Sequence, residues 1–110
     1  MHELGITRNI VSICGERAAG RRVSRVQLEI GRLSSVVPEA IRFCFDVVSQ
    51  GSPVEGARLE IIEVAGLGRC RRCDVNVELA SLSLRCPACQ SLEVQLIAGD
   101  ELSIKEMETV

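Results

Sequence analysis

Four cysteines, Cys70, Cys73, Cys86 and Cys89, form two C-x2-C pairs with twelve residues between them. Each C-x2-C segment is a turn that aims two thiolates at one point, and two such turns complete a tetrahedron around Zn2+. The central gap is shorter than the spacing usual for this pattern, about 15–20 residues. A tight hairpin over Val75 to Leu84 is expected to span it. All four donors are sulfur, which leaves no coordination position for water or substrate, so the expected zinc site is structural. A thioredoxin-type redox dithiol is the competing chemistry. One C-x2-C would support it, but two pairs this close in sequence point to a metal. Cys86-Pro87-Ala88-Cys89 also resembles a rubredoxin-like iron knuckle, which would make the chain an electron carrier; the colour of the purified protein separates iron from zinc.

Arg69, Arg71, Arg72 and Arg85 flank these turns. They could mark a zinc-ribbon module that binds nucleic acid, or they could offset the negative charge of four thiolates. The formal charge of the chain is −2 and its aromatic content is 2%. A nucleic-acid reader needs a basic face and stacking aromatics, so charge compensation is the expected role and nucleic acid is not an expected partner. Cys14 and Cys44 sit on the apolar faces of helical segments, where isolated cysteines act as small buried hydrophobes.

The only histidine, His2, follows the initiator methionine. The amine of Met1, the amide nitrogen of His2 and its imidazole can chelate one ion in fused rings. The amide nitrogen of Glu3 or an outside donor would complete a square plane. Such a nitrogen plane suits Ni(II) or Cu(II) and does not suit Zn(II). By itself, a histidine near a chain terminus is an ordinary occurrence, and Glu3 alone reads as helix-start charge.

The elements that must position these groups follow from periodicity. Ile6, Ile10, Ile13, Cys14 and Ala18 recur at helical spacing within residues 4–19, with Gly20 as terminator. Val26, Leu28 and Ile30 alternate with polar residues in a half-buried strand closed by Gly31. Pro38 and Glu39 open a second helix whose stripe is Ile41, Cys44, Phe45 and Val48, with Gly51 after it. Residues 57–64 and Glu101 to Met107 read as further strands. Ala65-Gly66-Leu67-Gly68 leads into the cysteine segment and Ala98-Gly99-Asp100 leads out. Glycines at both joints suggest a small lobe on two tethers, free to reorient. The expected division is residues 1–65 with 100–110 as one domain and residues 66–99 as an inserted zinc domain.

With 110 residues, 46% of them hydrophobic and 25% charged, the chain has the composition of a small globular protein. No run of about 18 apolar residues is present, and Met1-His2-Glu3-Leu4 lacks the basic start of a signal peptide. A cytoplasmic protein with reduced thiols and no membrane partner is expected. No nucleophile–base pair, phosphate-cradling loop or open metal site is legible, so an enzyme is not expected.

Met1-His2-Glu3-Leu4, the run Val26 to Ser34 (VQLEIGRLS), the run Pro38 to Val48 (PEAIRFCFDVV), the double C-x2-C and the terminal Gly99-Asp100-Glu101-Leu102 with Ile104-Lys105-Glu106 resemble the HypA/HybF family. These are nickel metallochaperones of NiFe-hydrogenase maturation, and the resemblance covers essentially the whole chain. It implies an α+β fold: two helices on a three-stranded, mainly antiparallel sheet, with a small inserted zinc-ribbon-like β lobe. It implies that His2 supplies a side-chain nickel ligand, that backbone nitrogens of the first residues, from Met1 on, complete the set, and that Glu3 supports it. Expected partners are a GTPase of HypB type and the hydrogenase large-subunit precursor; some members also serve urease, which adds urease accessory proteins. Asp74 and Gln90 depart from the family pattern, which often has Gly after the second cysteine of each knuckle, and this chain lacks the aromatic often found between the knuckles.

Overall fold

The computed structural model describes residues 2–110. In chain order the elements are α1 (Glu3–Ala18), β1 (Val23–Gly31), α2 (Pro38–Val48), β2 (Arg58–Val64), β3 (Gly66–Cys70), β4 (Val75–Leu79), β5 (Val94–Ala98) and β6 (Leu102–Thr109). They form two three-stranded sheets, ordered β2-β1-β6 and β4-β3-β5.

α1 ends at Ala18, and its cap falls one residue before the expected glycine. Ala19 takes the left-handed conformation (φ 51°) and its N–H bonds the Glu16 carbonyl. α2 starts at Pro38, whose fixed φ and missing N–H cost nothing in a first turn. After it, Ser52 Oγ donates to the Ser49 carbonyl and accepts from Val54 N–H. That turn delivers Val54, 0% exposed, into the core.

β1 is the central strand of the first sheet. It pairs in parallel with β2 and antiparallel with β6, so the sheet is mixed where the sequence suggested a mainly antiparallel one. The parallel pair follows from the connection, because α2 carries the chain back across the sheet between β1 and β2. Val26, Leu28 and Ile30 pack under α1 and α2 with Ile10, Val11, Cys14, Ile41 and Phe45. Of the expected helix stripes, Ile13 is exposed and Ile6, Cys44 and Val48 are only partly covered.

Two bulges settle which side chains enter that core. Gln27 pairs with Glu106 and Leu28 with Ile104, so Lys105 is an extra residue in β6. Strict alternation after Leu102 and Ile104 would send Glu106 inward. The bulge sends Met107 inward instead and turns Glu106 and Glu108 to the open face. A matching shift at Ser24 lets both Val23 and Val26 face the core. On the open face Arg25 reaches Glu60 at 2.7 Å, Glu106 at 2.8 Å and Glu108 at 3.1 Å, so one guanidinium ties together all three strands. It holds Glu60 and Glu108 below the usual carboxylate range, and they hold Arg25 above its own.

The joints between the sheets are close-packed. Gly66–Cys70 is strand, not tether, and Ala65 alone separates it from β2. A β-carbon on Gly31 would lie 2.1 Å from the Gly99 carbonyl oxygen, and one on Gly99 would lie 2.5 Å from Gly66 Cα. Only glycine permits this backbone-on-backbone approach. Leu33 N–H donates to the Gly99 carbonyl at 2.7 Å, and Arg32 N–H to the Val64 carbonyl at 2.8 Å.

No helix among the described residues is long and apolar enough to cross a membrane.

Candidate metal centres

The first C-x2-C turn is the hairpin joining β3 to β4, which pair from Gly66–Leu79 to Cys70–Val75. This corrects the hairpin expected over Val75 to Leu84: β4 ends at Leu79, and Ala80 to Arg85 runs as a loop to the second turn. The two turns are built alike. Asp74 N–H bonds the Cys70 carbonyl at 2.8 Å, and Gln90 N–H bonds the Cys86 carbonyl at 2.9 Å. Both residues sit in the left-handed region, Asp74 at φ 60° and Gln90 at φ 66°. The position that is often glycine in the family thus demands the same backbone here, at a cost that Gln90 bears more than Asp74. Arg71 N–H bonds the Glu93 carbonyl at 2.9 Å, joining the first turn to the strand leaving the second.

The four Sγ atoms all lie within 4.8 Å of one another. Cys70 to Cys89 is 3.6 Å and Cys73 to Cys86 is 3.9 Å. With Zn–S bonds of about 2.3 Å, the edge of a thiolate tetrahedron is about 3.8 Å, so the quartet fits that ion. The soft donor set also excludes Mg2+ and Ca2+. Cys70 and Cys86 are buried, while Cys73 and Cys89 are half-buried. The thiols are not equivalent. Cys86 is drawn down to about 7, chiefly by the N–H of Cys89, whereas the Cys89 side chain and desolvation push Cys73 up to about 12. Four adjacent thiols do not all ionise unaided; a bound dication would deprotonate them.

Of the four arginines around the quartet, Arg69 and Arg85 are tied to its framework, and Arg71 donates to Gln95 Oε1 at 3.4 Å. Arg69 pairs with Asp74 at 2.6 Å and also reaches Asn76, while Arg85 donates to the Gln90 carbonyl at 3.1 Å. Arg69 and Arg85 therefore brace the residues that follow the knuckles.

At the other site, His2 is exposed and occupies the N-cap position of α1, with its carbonyl accepting the Ile6 N–H at 2.9 Å. Met1, named above as an amine donor, lies outside the described residues. Glu3 is 7% exposed, and its Oε2 accepts the Val37 N–H at 3.1 Å. Val37 is the N-cap of α2 and has no side-chain cap of its own. The carboxylate of Glu3 therefore caps a helix 34 residues away in sequence, where the positive end of the helix favours an anion. Thr7 Oγ1 donates to the Glu3 carbonyl at 2.6 Å and fastens the first turn.

Two participants escaped sequence reasoning. Val37 acts through its backbone, which no residue type announces. Leu33, 5% exposed, leaves β1 and packs among Cys70, Leu79, Cys86 and Val94. It follows a Gly-Arg pair in a loop, outside any periodic segment, so its burial had no local signal.

Residues 1–109 match the family model described as hydrogenase/urease nickel incorporation, metallochaperone, HypA. The chain is 55% identical over 108 residues to a hydrogenase maturation factor HypA of Trichodesmium erythraeum, covering 98% of this chain and 95% of the relative. It is 48% identical to the protein of the same name from Geobacter sulfurreducens, covering 98% of each. The fold superimposes on the solution structure of the Ni metallochaperone HypA from Helicobacter pylori with a TM-score of 0.70 at 22% identity, over 98% of this chain and 97% of the other. A second solution structure of a HypA protein gives 0.73 at 23% identity, over 100% of this chain and 97% of the other. These matches run through both sheets and both helices.

Proposed function

The chain belongs to the HypA family of nickel metallochaperones, and from that premise we propose that it binds Ni(II) at its N-terminus and passes it on for NiFe-hydrogenase maturation. The observation that carries the proposal is the setting of His2: an exposed imidazole immediately before a helix whose first residue, Glu3, is fastened to the start of α2. The first N–H groups of a helix have no intrahelical acceptor. The amide nitrogens of His2 and Glu3 can therefore ionise and bind a metal without breaking the ladder of α1. With the amine of Met1 and the His2 imidazole they make a nitrogen plane suited to Ni(II). Glu3 acts as the support, since its carboxylate is engaged at Val37. An exposed site of this kind exchanges its ion readily, as a carrier must.

Cys70, Cys73, Cys86 and Cys89 hold one structural Zn2+ in this proposal. The closed thiolate set leaves no site for water or substrate, and the protein works as a carrier and not as an enzyme. The expected recipients are a HypB-type GTPase and the hydrogenase large-subunit precursor, with urease accessory proteins as a further class, all in the cytoplasm. Nucleotide-driven steps fall to the GTPase.

Nickel titration of the wild type and of His2→Ala, with zinc measured throughout, tests the assignment. One nickel per chain is expected for the wild type, with zinc unchanged in both proteins. The His2→Ala loss should exceed the roughly 10–100-fold that removal of a mere supporting residue causes. Equal nickel affinity in the two proteins would overturn the N-terminal site. A tag placed before Met1 should also weaken binding, because it converts the chelating amine to an amide.

A further inference from the structure

We propose that Leu33 is a latch whose socket exists only while the cysteine quartet holds its metal, so that metal occupancy sets whether the β4-β3-β5 sheet is docked on the helical body. This rests on the thiolate-site assignment and is independent of the nickel site. The buried members of the second core are Leu33, Cys70, Leu79, Cys86 and Val94. Two of these five are metal ligands, and Leu33 comes from the segment after β1. Among the buried members only Leu79 and Val94 remain as apolar residues contributed by the lobe itself, with Val77, Leu84 and Leu96 packed half-buried against them. A core of that size does not hold a fold unaided, so the walls around Leu33 depend on the ion that gathers the cysteines.

Leu33 in turn fixes the joint. Its N–H donates to the Gly99 carbonyl at 2.7 Å, and its Cδ1 would be 2.6 Å from a β-carbon on Gly66. Side chain and backbone of one residue thus engage the strand that enters the lobe and the turn that leaves it. The competing account is that the contact of Gly31 with Gly99 holds the lobe by itself, whatever the state of the metal. The two accounts differ in what happens to the Leu33 amide when the ion is withdrawn.

Amide hydrogen exchange on the full chain, zinc-loaded and after treatment with a chelator, decides between them. Protection of the Leu33 amide should fall by at least about tenfold on metal removal, while the Leu28 amide in β1 keeps its protection. Leu33→Ala should reproduce that loss at the Gly31–Gly99 joint with zinc still at one per chain, and Leu33→Met should restore protection. Unchanged protection at Leu33 after verified metal removal overturns the latch and leaves the thiolate site standing. A wild type that binds no metal at the quartet overturns both. If Leu33→Ala remains as protected at the joint as the wild type, the glycine contact alone is responsible and the latch falls.

Discussion

In the cysteine lobe the donors come from two turns, sixteen residues apart at equivalent positions, and their four sulfurs converge within 4.8 Å of one another. At the N-terminus the proposed donors come from consecutive residues, mostly through backbone nitrogen, and the one side chain among them is exposed. The first arrangement supplies two of the five buried residues of a small core. The second sits at the start of α1, where the His2 side chain is exposed and takes part in neither core. On the proposed assignments, the contrast would let one small chain keep one metal and surrender another: retention would come from making the ion part of the fold, and release from keeping it out.

Breaking the first site should have the largest effect. Cys86→Ala removes a buried ligand and leaves three thiolates to hold an ion that contributes about 10–16 kcal/mol to comparable small folds. Zinc content should drop from one per chain to near none in the presence of a competing chelator, and amide protection should vanish across β3, β4 and β5. Nickel binding at His2 should persist. If zinc and nickel were lost together, the two regions would not be separable and the contrast would fail.

Glu3→Ala tests the second region from its support. The variant removes the acceptor for Val37 N–H and loosens the start of α1 against the start of α2. Nickel affinity should fall by roughly 10–100-fold, the range typical of outer partners, with zinc retained. A fall as large as that of His2→Ala would make Glu3 a ligand in its own right.

A third variant addresses the β2-β1-β6 sheet, which carries none of the candidate metal ligands. Arg25 holds Glu60 and Glu108 below the usual carboxylate range, so its contribution is fully present above the ordinary carboxylate pKa of about 4.3 and is lost as pH falls through their lowered values. The melting temperature of Arg25→Gln should therefore lie furthest below that of the wild type near neutral pH. The two curves should converge as pH falls through those lowered carboxylate values, and zinc content at neutral pH should be unaffected. A gap that is constant with pH would assign Arg25 a packing role instead.

How much of this was legible in the sequence depends on how local each signal is. The quartet was readable because a C-x2-C turn carries its own geometry, and the helices because Ile10, Cys14 and Ala18, or Ile41 and Phe45, repeat at helical spacing. The bulge at Lys105 was not readable, since alternation through Leu102 and Ile104 gives no warning that Met107 and not Glu106 turns inward. The partners that set the joint were also hidden. Gly31, Gly66 and Gly99 look like flexible punctuation, and only their mutual approach shows that they are there for close contact. Glu3 read as helix-start charge for its own helix, whereas its carboxylate caps α2.

The smallest expected effect concerns the difference between the two knuckles themselves. Asp74 and Gln90 occupy equivalent left-handed positions, φ 60° and 66°, and each donates its N–H to the carbonyl of the first cysteine of its turn. Asp tolerates that conformation better than Gln does, so the second turn carries more strain than the first. Gln90→Gly should relieve it and stabilise the zinc-bound lobe by about 1 kcal/mol. The gain should be partly offset, because glycine also enlarges the ensemble of the unfolded chain. The same change at Asp74 should gain less or lose stability, because the Asp74 side chain also pairs with Arg69 at 2.6 Å. Rates of zinc transfer to a chelator would read the difference: slower than wild type for Gln90→Gly, and unchanged or faster for Asp74→Gly. Equal slowing in both would mean that backbone strain alone governs how tightly the knuckles close, and that the Arg69 brace contributes nothing.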